Sequence, residues 1–386
     1  LMFADLLATD PVIELAPMAG VTNRAFRRVC REASTEIRNA AGQTDLDNTV
    51  YVAEMTTSQA LLMRHPDTLD LVTFDGDEKT RSAQLYGVDP EIVGAAVRML
   101  VDEDMADHVD LNFGCPVPKV TRKGGGAALP FKRNLFREIV KAAVENAKPY
   151  GIPVTVKMRI GIDTDHHTYL EAAKSAADLG VAWVALHART AQQMYEGKAD
   201  WSAIANLVEH LKPTGVPVLG NGDIWSGADG VEMVRQTGCA GVVVGRGCLG
   251  RPWLFADLVD AFNGGDKRVL PTLHEVREVM FRHGELIVDY FESEDRGCRD
   301  LRKHMAWYLK GFSVHSELRR QFGMVGSLKE LRSLLDQLDD QPYPVEIGDK
   351  PRGRTSSGRP PTLPDGWLND PDEMIHLDVE DMFSGG

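Results

Sequence analysis

Eight short β-rich runs recur along the first 245 residues, and segments with helical periodicity separate them. The runs lie at 12–16 (VIELA), 50–53 (VYVA), 82–86 (SAQLY), 108–112 (HVDLN), 153–158 (PVTVKM), 181–187 (VAWVALH), 217–221 (PVLGN) and 240–245 (AGVVVG). Helix-like segments fall between them, among them 90–103, 135–147, 169–180, 201–211 and 227–238. Strands alternating with helices pair in parallel, because each crossover returns the chain to the same edge. Eight is also the number that closes a barrel. An open doubly wound sheet would carry a GxGxxG after its first strand, and APMAG at 16–20 is not that. The expected class is therefore α/β, a (β/α)8 TIM barrel over 1–262. A smaller helical domain over 263–340 and a Pro/Gly-rich acidic tail over 341–386 follow. A barrel takes about 250 residues, which the 386 present accommodate with room for both additions. The polar stretch 35–49 reads as an insertion before the second strand.

Each expected strand ends in something chemical: Pro17-Met18-Ala19, Glu54, Gln84, Asn112 with Cys115, Lys157, His187, Asn221 with Asp223, and Gly245-Arg246. In such barrels all eight C-terminal strand ends open onto one rim, where catalytic groups gather. Residues 108–129 (HVDLNFGCPVPKVTRKGGGAAL) are the densest case. A strand runs into Asn112 and then Cys115, held between Gly114 and Pro116, and a loop with Lys119, Arg122, Lys123 and three glycines follows. A lone cysteine in a tight turn is usually a core residue. A cationic, glycine-rich loop beside it fits an active site with a lid better.

Composition narrows the setting. The five cysteines, Cys30, Cys115, Cys239, Cys248 and Cys298, are scattered, odd in number and without CxxC pairing. That disfavours a disulfide framework or a metal site and favours a reducing cytoplasm. No run is long and apolar enough to span a membrane, and the N-terminal residues lack the pattern of a secretory signal. The net charge of −14 argues mildly against nucleic acid, although RNA meets a local patch rather than an average.

The last two expected strands end in GNGDI and GRGCLGRPW. Glycines there expose backbone N–H groups beside the fork of Arg246, in the loops where barrels commonly hold a phosphate. Gln84, Asn112 and Lys157 would face the polar edge of a flat heterocycle, with Pro17, Met18 and Ala19 as its apolar floor. A phosphorylated planar cofactor suits this set, FMN better than pyridoxal phosphate, although Lys157 alone does not separate the two. Ordinary readings stand beside these: a snorkelling Lys157, a satisfied core His187, a packing Gly245 and a surface ion pair for Arg246.

APMAGVTNRAFR (16–27), AQLYG (83–87), DLNFGCPVPKVTRKGGGAAL (110–129), VKMRIG (156–161), LHART (186–190), GNGDI (220–224) and GRGCLGRPW (245–253) together resemble the bacterial tRNA-dihydrouridine synthases. These are FMN-dependent barrel enzymes that reduce particular uridines of tRNA. The likeness runs from about residue 12 to 256 and weakly through KHMAWYLKGF (303–312). It implies a flavoprotein oxidoreductase with NADPH as reductant and tRNA as partner. It also implies a flavin shell of Pro17, Met18, Ala19, Gln84, Lys157, His187, Asn221, Gly222, Asp223, Gly245 and Arg246, with Cys115 as proton donor. A free thiol with pKa about 8.5 is protonated at neutral pH, as a donor must be. Asn112 would then read the uracil edge, and Lys157 would stabilise the anionic reduced ring.

Region 270–337 reads as three helices. On the middle one Arg299, Lys303 and Lys310 share a side at helical spacing, and Leu301, Met305, Tyr308 and Phe312 share the other. With Lys119, Arg122 and Lys123 these cations are the expected grip on RNA phosphates. A solvated face of an ordinary amphipathic helix is the plainer alternative. The tail is expected to be extended or disordered, pinned by Trp367 or by Met374–Leu377. Two other functions compete: a flavin barrel reducing free pyrimidines, and an RNA-binding barrel without catalysis. The target uridine, the choice of NADPH over NADH and the oligomeric state are not legible.

Overall fold

The computed structural model describes residues 11–40 and 49–377. Eight parallel strands close into a barrel in which β1 (Val12–Leu15) is followed by β2 (Thr49–Thr57), β3 (Ser82–Tyr86), β4 (His108–Phe113) and β5 (Val154–Arg159). A small antiparallel hairpin, β6 (Gly161–Asp163) with β7 (His166–His167), interrupts the series before β8 (Val184–His187), β9 (Val218–Asn221) and β10 (Gly241–Val244) complete it. Closure is explicit in the register: Val12 to Leu15 lie beside Gly241 to Val244 on one side, and Ile13 to Leu15 beside Thr49 to Tyr51 on the other. All eight expected strands are present.

Side chains alternate across a strand, so every second residue enters the lumen. Val12, Ala16, Val50, Val52, Trp183, Ala185, Leu219 and Val243 form an interior cluster of their own. The opposite faces pack under an outer ring of helices: α1 (Arg24–Ala40), α2 (Pro90–Asp102), α3 (Arg133–Ala147), α4 (Tyr169–Asp178), α5 (Trp201–Leu211), α6 (Gly227–Thr237) and α7 (Leu254–Phe262). Local chemistry starts several of these. Asp89 caps α2 through Ile92 N–H with Pro90 in the first turn, and Ser226 caps α6 through the N–H of Asp229. Residues 35–40 of the expected insertion continue α1, and 41–48 lie outside the described residues.

Four further helices follow: α8 (Leu273–Phe291), α9 (Glu294–Tyr308), α10 (Ser316–Phe322) and α11 (Leu328–Leu335). Three coincide with the expected helices, and α10 is an addition. Thr272 and Glu275 form a reciprocal capping box at the start of α8. Leu301, Met305 and Tyr308 on the apolar back of α9, and Phe312 just past its end, are all buried in a second core that also takes in Ala25 and Trp253 of the barrel. Each contributes about 1.5–3 kcal/mol at most. The helical region docks beside the rim. Arg282 pairs with Glu32 at 2.8 Å, and Lys303 donates to the carbonyl of Gly20 in the loop after β1.

The described part of the tail, residues 341–377, is an ordered strap. Arg352 anchors it by donating to the carbonyls of Leu249, Trp307 and Gly348. The N–H of Arg359 bonds Gln192 O at 2.9 Å in the loop after β8. Trp367, buried, donates its indole N–H to Ala128 O at 2.9 Å. Ile375 and Leu377 join the same small cluster while Met374 stays exposed. Within the described residues of the acidic end, Asp372 and Glu373 pair with Arg133 and Lys132.

Candidate active site

Asn112 shapes the turn that presents the thiol. Its Oδ1 accepts from the N–H groups of Gly114 (3.1 Å) and Cys115 (3.0 Å), and its Nδ2 donates to Gln84 Oε1 at 3.1 Å. The expected contact of Asn112 with a uracil edge therefore competes with a side chain already holding the Cys115 loop, an arrangement suited to short Asx side chains. Gln84 sits one layer deeper, fully buried, and donates to Asp110 at 2.8 Å. It supports the site from below rather than lining the cleft.

The Cys115 carbonyl accepts from Ala127 N–H at 3.0 Å. A Cβ at Gly126 (φ +55°) would lie 2.5 Å from that carbonyl, so only glycine allows the chain to pass. The loop expected to be a mobile lid is folded down. Pro118–Thr121 makes a helical turn, Val120 and Thr121 are buried, and Gly124 (φ +83°) lies directly beneath Trp367. Its Lys119 and Arg122 are exposed, and Lys123 is half-buried.

Two connected cavities open at the rim. One, of about 940 Å³ counted to its solvent mouth, is bounded by Pro17, Met18, Ala19, Asn112, Cys115, Lys157, Arg159, His187, Tyr195, Arg246, Trp307 and Arg354, among others. The second, of about 520 Å³, runs deeper between Asn221, Gly222, Asp223, Gly245, Arg246 and Gly247. They share Pro17, Met18, Lys157, His187, Tyr195 and Arg246. Apart from Gln84, every residue expected in the flavin shell borders this cleft.

The electrostatics are cationic. Lys157, Arg159, Arg189 and Arg246 border the cleft, and Asp223 is the one carboxylate among its walls. Asp223 is already engaged by Arg189 at 2.8 Å and by the N–H of Ala199 at 2.7 Å, leaving Arg246 at 3.7 Å. Among the described residues Lys157 has no hydrogen bond or ion pair. Burial and the neighbouring Arg159 push its pKa down, while Asp110 and Glu14 oppose them. Burial, then Arg159 and Lys157, hold His187 well below the usual histidine range, so its ring is neutral at pH 7. Burial pushes the Cys115 thiol up, and the thiol persists through neutral pH. A surplus of buried positive charge fits an anionic ligand that carries a phosphate and an electron-rich ring.

Several residues of the cleft escaped the sequence reading. Arg159 follows Lys157 by two on β5, a spacing that puts the pair on one face, and Arg189 lies in the bend just past the end of β8. The signal for Arg159 was available. Tyr195 lies over Arg246 (4.5 Å from ring centroid to guanidinium carbon) and belongs to the long loop after β8. Trp307 and Arg354 arrive from α9 and the strap, and no local pattern announces them. The basic face expected on α9 is divided. Arg299 is exposed beside Asp295, Lys303 bonds Gly20 O and Asp300, and Lys310 bonds Pro351 O.

A family model described as Dihydrouridine synthase (Dus) matches residues 14–342. The chain belongs to the dihydrouridine synthase family. A probable tRNA-dihydrouridine synthase of Mycobacterium tuberculosis is 53% identical over 380 residues, covering 98% of this chain and 95% of the relative. Its counterpart in Mycobacterium leprae is 51% identical and covers 96% and 100%. A tRNA-dihydrouridine synthase B of Vibrio parahaemolyticus is 35% identical over 81% of this chain and 90% of its own. The dihydrouridine synthase match ends at residue 342, where the strap begins, while the mycobacterial relatives extend over nearly the whole chain. No described helix is long and apolar enough to cross a membrane, and no described cluster of His, Cys, Asp and Glu could hold a metal ion.

Proposed function

We propose that this chain is an FMN-dependent tRNA-dihydrouridine synthase, reducing the 5,6 double bond of specific uridines in tRNA with NADPH as the reductant. The observation that carries this reading is Cys115 on the wall of the same cationic cleft as Lys157, Arg159 and Arg246. Bound FMN would supply a hydride to one carbon of the uracil. Cys115 then delivers the proton to the neighbouring carbon, and burial favours that role by keeping the thiol protonated rather than making it a nucleophile. Lys157, cationic and unpaired, meets the electron-rich edge of the ring and offsets its negative charge. Arg246, with the chain at 221–223 and 245–247, holds the phosphate in the deeper cavity. Pro17, Met18 and Ala19 form the apolar floor, and neutral His187 offers a hydrogen bond without a further charge.

A uridine stacked inside folded tRNA must swing out to reach this depth. Lys119, Arg122 and Lys123 on the loop after Cys115, with Arg299 on α9, are the cations we assign to the RNA backbone. Lys303 and Lys310 serve instead to dock α9 on the rim and the strap on α9. The helical domain at 263–340 orients the tRNA. The five free cysteines support a cytoplasmic setting. Comparing dihydrouridine position by position in tRNA from cells with and without the gene tests the proposal. Its loss at particular positions is expected, and an unchanged pattern would overturn the reading.

A further inference from the structure

The strap carries a run of positive charge unbroken by acid that borders the cleft. Between Asp349 and Asp365 the chain holds Lys350, Arg352, Arg354 and Arg359 and no carboxylate, in a protein whose net charge is −14. Arg352 is spent as the buried anchor. The other three are exposed, and none has an ion pair among the described residues. Exposed cations elsewhere are commonly paired: Arg299 with Asp295, Arg320 with Glu317, Arg235 with Glu232. Unpaired cations on a backbone fastened at Arg352, Arg359 and Trp367 are positioned for a ligand rather than for the fold.

Arg354 is the most specific of them. Its carbonyl accepts from Arg246 Nη1 at 3.0 Å, which ties the strap to the cleft. The residue borders the outer cavity shared with Cys115 and Asn112, not the deeper one between Gly222 and Gly247. A guanidinium there lies on the substrate's path and away from the pocket suited to the cofactor phosphate. Arginine is also the side chain whose planar fork matches phosphate oxygens.

Resting on the function proposed above, we propose that the strap segment 350–359 is part of the tRNA-binding surface, with Arg354 gripping a backbone phosphate of the extruded nucleotide. The family match stops at residue 342, so this grip is an addition to the family's shared machinery. The test compares wild type, Arg354→Ala, Arg354→Lys and the double variant Lys350→Ala/Arg359→Ala. Flavin content, bleaching by NADPH, tRNA affinity and tRNA reduction are each measured over a range of KCl. Arg354→Ala is expected to keep its flavin and its bleaching rate, to raise the tRNA KM roughly tenfold with a smaller change in kcat, and to flatten the log–log salt dependence by about 0.7. Arg354→Lys should restore the salt slope but only part of the affinity, because it keeps the charge and loses the fork, and the double variant should weaken binding and flatten the slope without loss of flavin. Wild-type affinity and slope in Arg354→Ala would overturn the proposal, as would flavin loss, which would assign the residue to the cofactor. A wild-type protein that binds tRNA but forms no dihydrouridine would instead sink the activity, and the binding comparison would still decide the role of the strap.

Discussion

Single side chains carry the chemistry, and Cys115 is the sharpest test among them. Cys115→Ala should lower tRNA reduction by about 10²–10⁴-fold while NADPH still bleaches the flavin, and near-full turnover would falsify the donor assignment. The pH profile carries a second signature. A thiol pushed above its usual value stays protonated to higher pH, so the alkaline fall in tRNA reduction should lie above the ordinary thiol pKa of about 8.5. A fall centred near neutrality would point to another group. Arg246 is packed between Tyr195 and Trp225 and faces both cavities. Arg246→Ala should purify with less yellow colour, as absorbance per mole of protein shows, and full flavin occupancy would contradict its role. At this scale the chemical residue types were readable from strand ends, because barrel topology delivers every such end to one rim. The partners of Asn112 were not. A side-chain amide reaches whichever groups the folded loop supplies, and here those are the N–H groups of Gly114 and Cys115.

The elements sort by how local their causes are. Most strands and the helices between them lie where the hydrophobic periods put them, because caps such as Asp89, Ser226 and Thr272 act within four residues of themselves. By contrast, β2 runs over nine residues where four were expected, and the β6–β7 hairpin was not foreseen. The loop at 117–126 did not follow its composition. Glycines and cations suggested motion, yet Trp367, more than 230 residues away in sequence, closes over Gly124 and bonds Ala128. Trp367→Ala should remove about 3–5 kcal/mol of local packing. The loss should appear as release of the strap rather than global unfolding. Hydrogen exchange would then rise over 353–377 and over 117–128 while the barrel helices keep their protection. Protection of both segments at the wild-type level would show that the indole does not pin them.

Across the molecule, the joint between barrel and helical region is buried and sensitive to acid. Phe26 of α1 packs on the rings of His283 and His304, whose centroids are 4.5 Å apart. Burial lowers the pKa of His283 to about 3 and holds His304 well below 6.5. Both are neutral in the folded protein, whereas the unfolded chain takes up their protons near 6.5. The stability tied to them is complete above pH 6.5 and is lost as pH falls toward 3, about 1.4 kcal/mol per pH unit for each ring. Asp110 and Asp257, raised by burial to about 6, act in the opposite sense. Comparison with His283→Gln/His304→Gln cancels them, since both proteins keep those carboxylates. The double variant should show a shallower decline of Tm between pH 6.5 and 4.5, and equal slopes would refute the account.

The order of apolar and polar residues, with eight strands and no GxGxxG after the first, determined the barrel, because strand and helix periods are short-range and eight parallel strands can close on themselves. The cluster of Lys, His, Asn, Arg and Cys at the strand ends was implied by the same topology. Only the tertiary structure decided which cations remain unpaired. Lys303 and Lys310 are consumed in docking, while Arg159 and Arg354 border the cleft. The physical reason is that an ion pair or a cavity wall is made from groups far apart in the chain. Their meeting depends on the packing of α9 and of the strap, and no local pattern of residues encodes it.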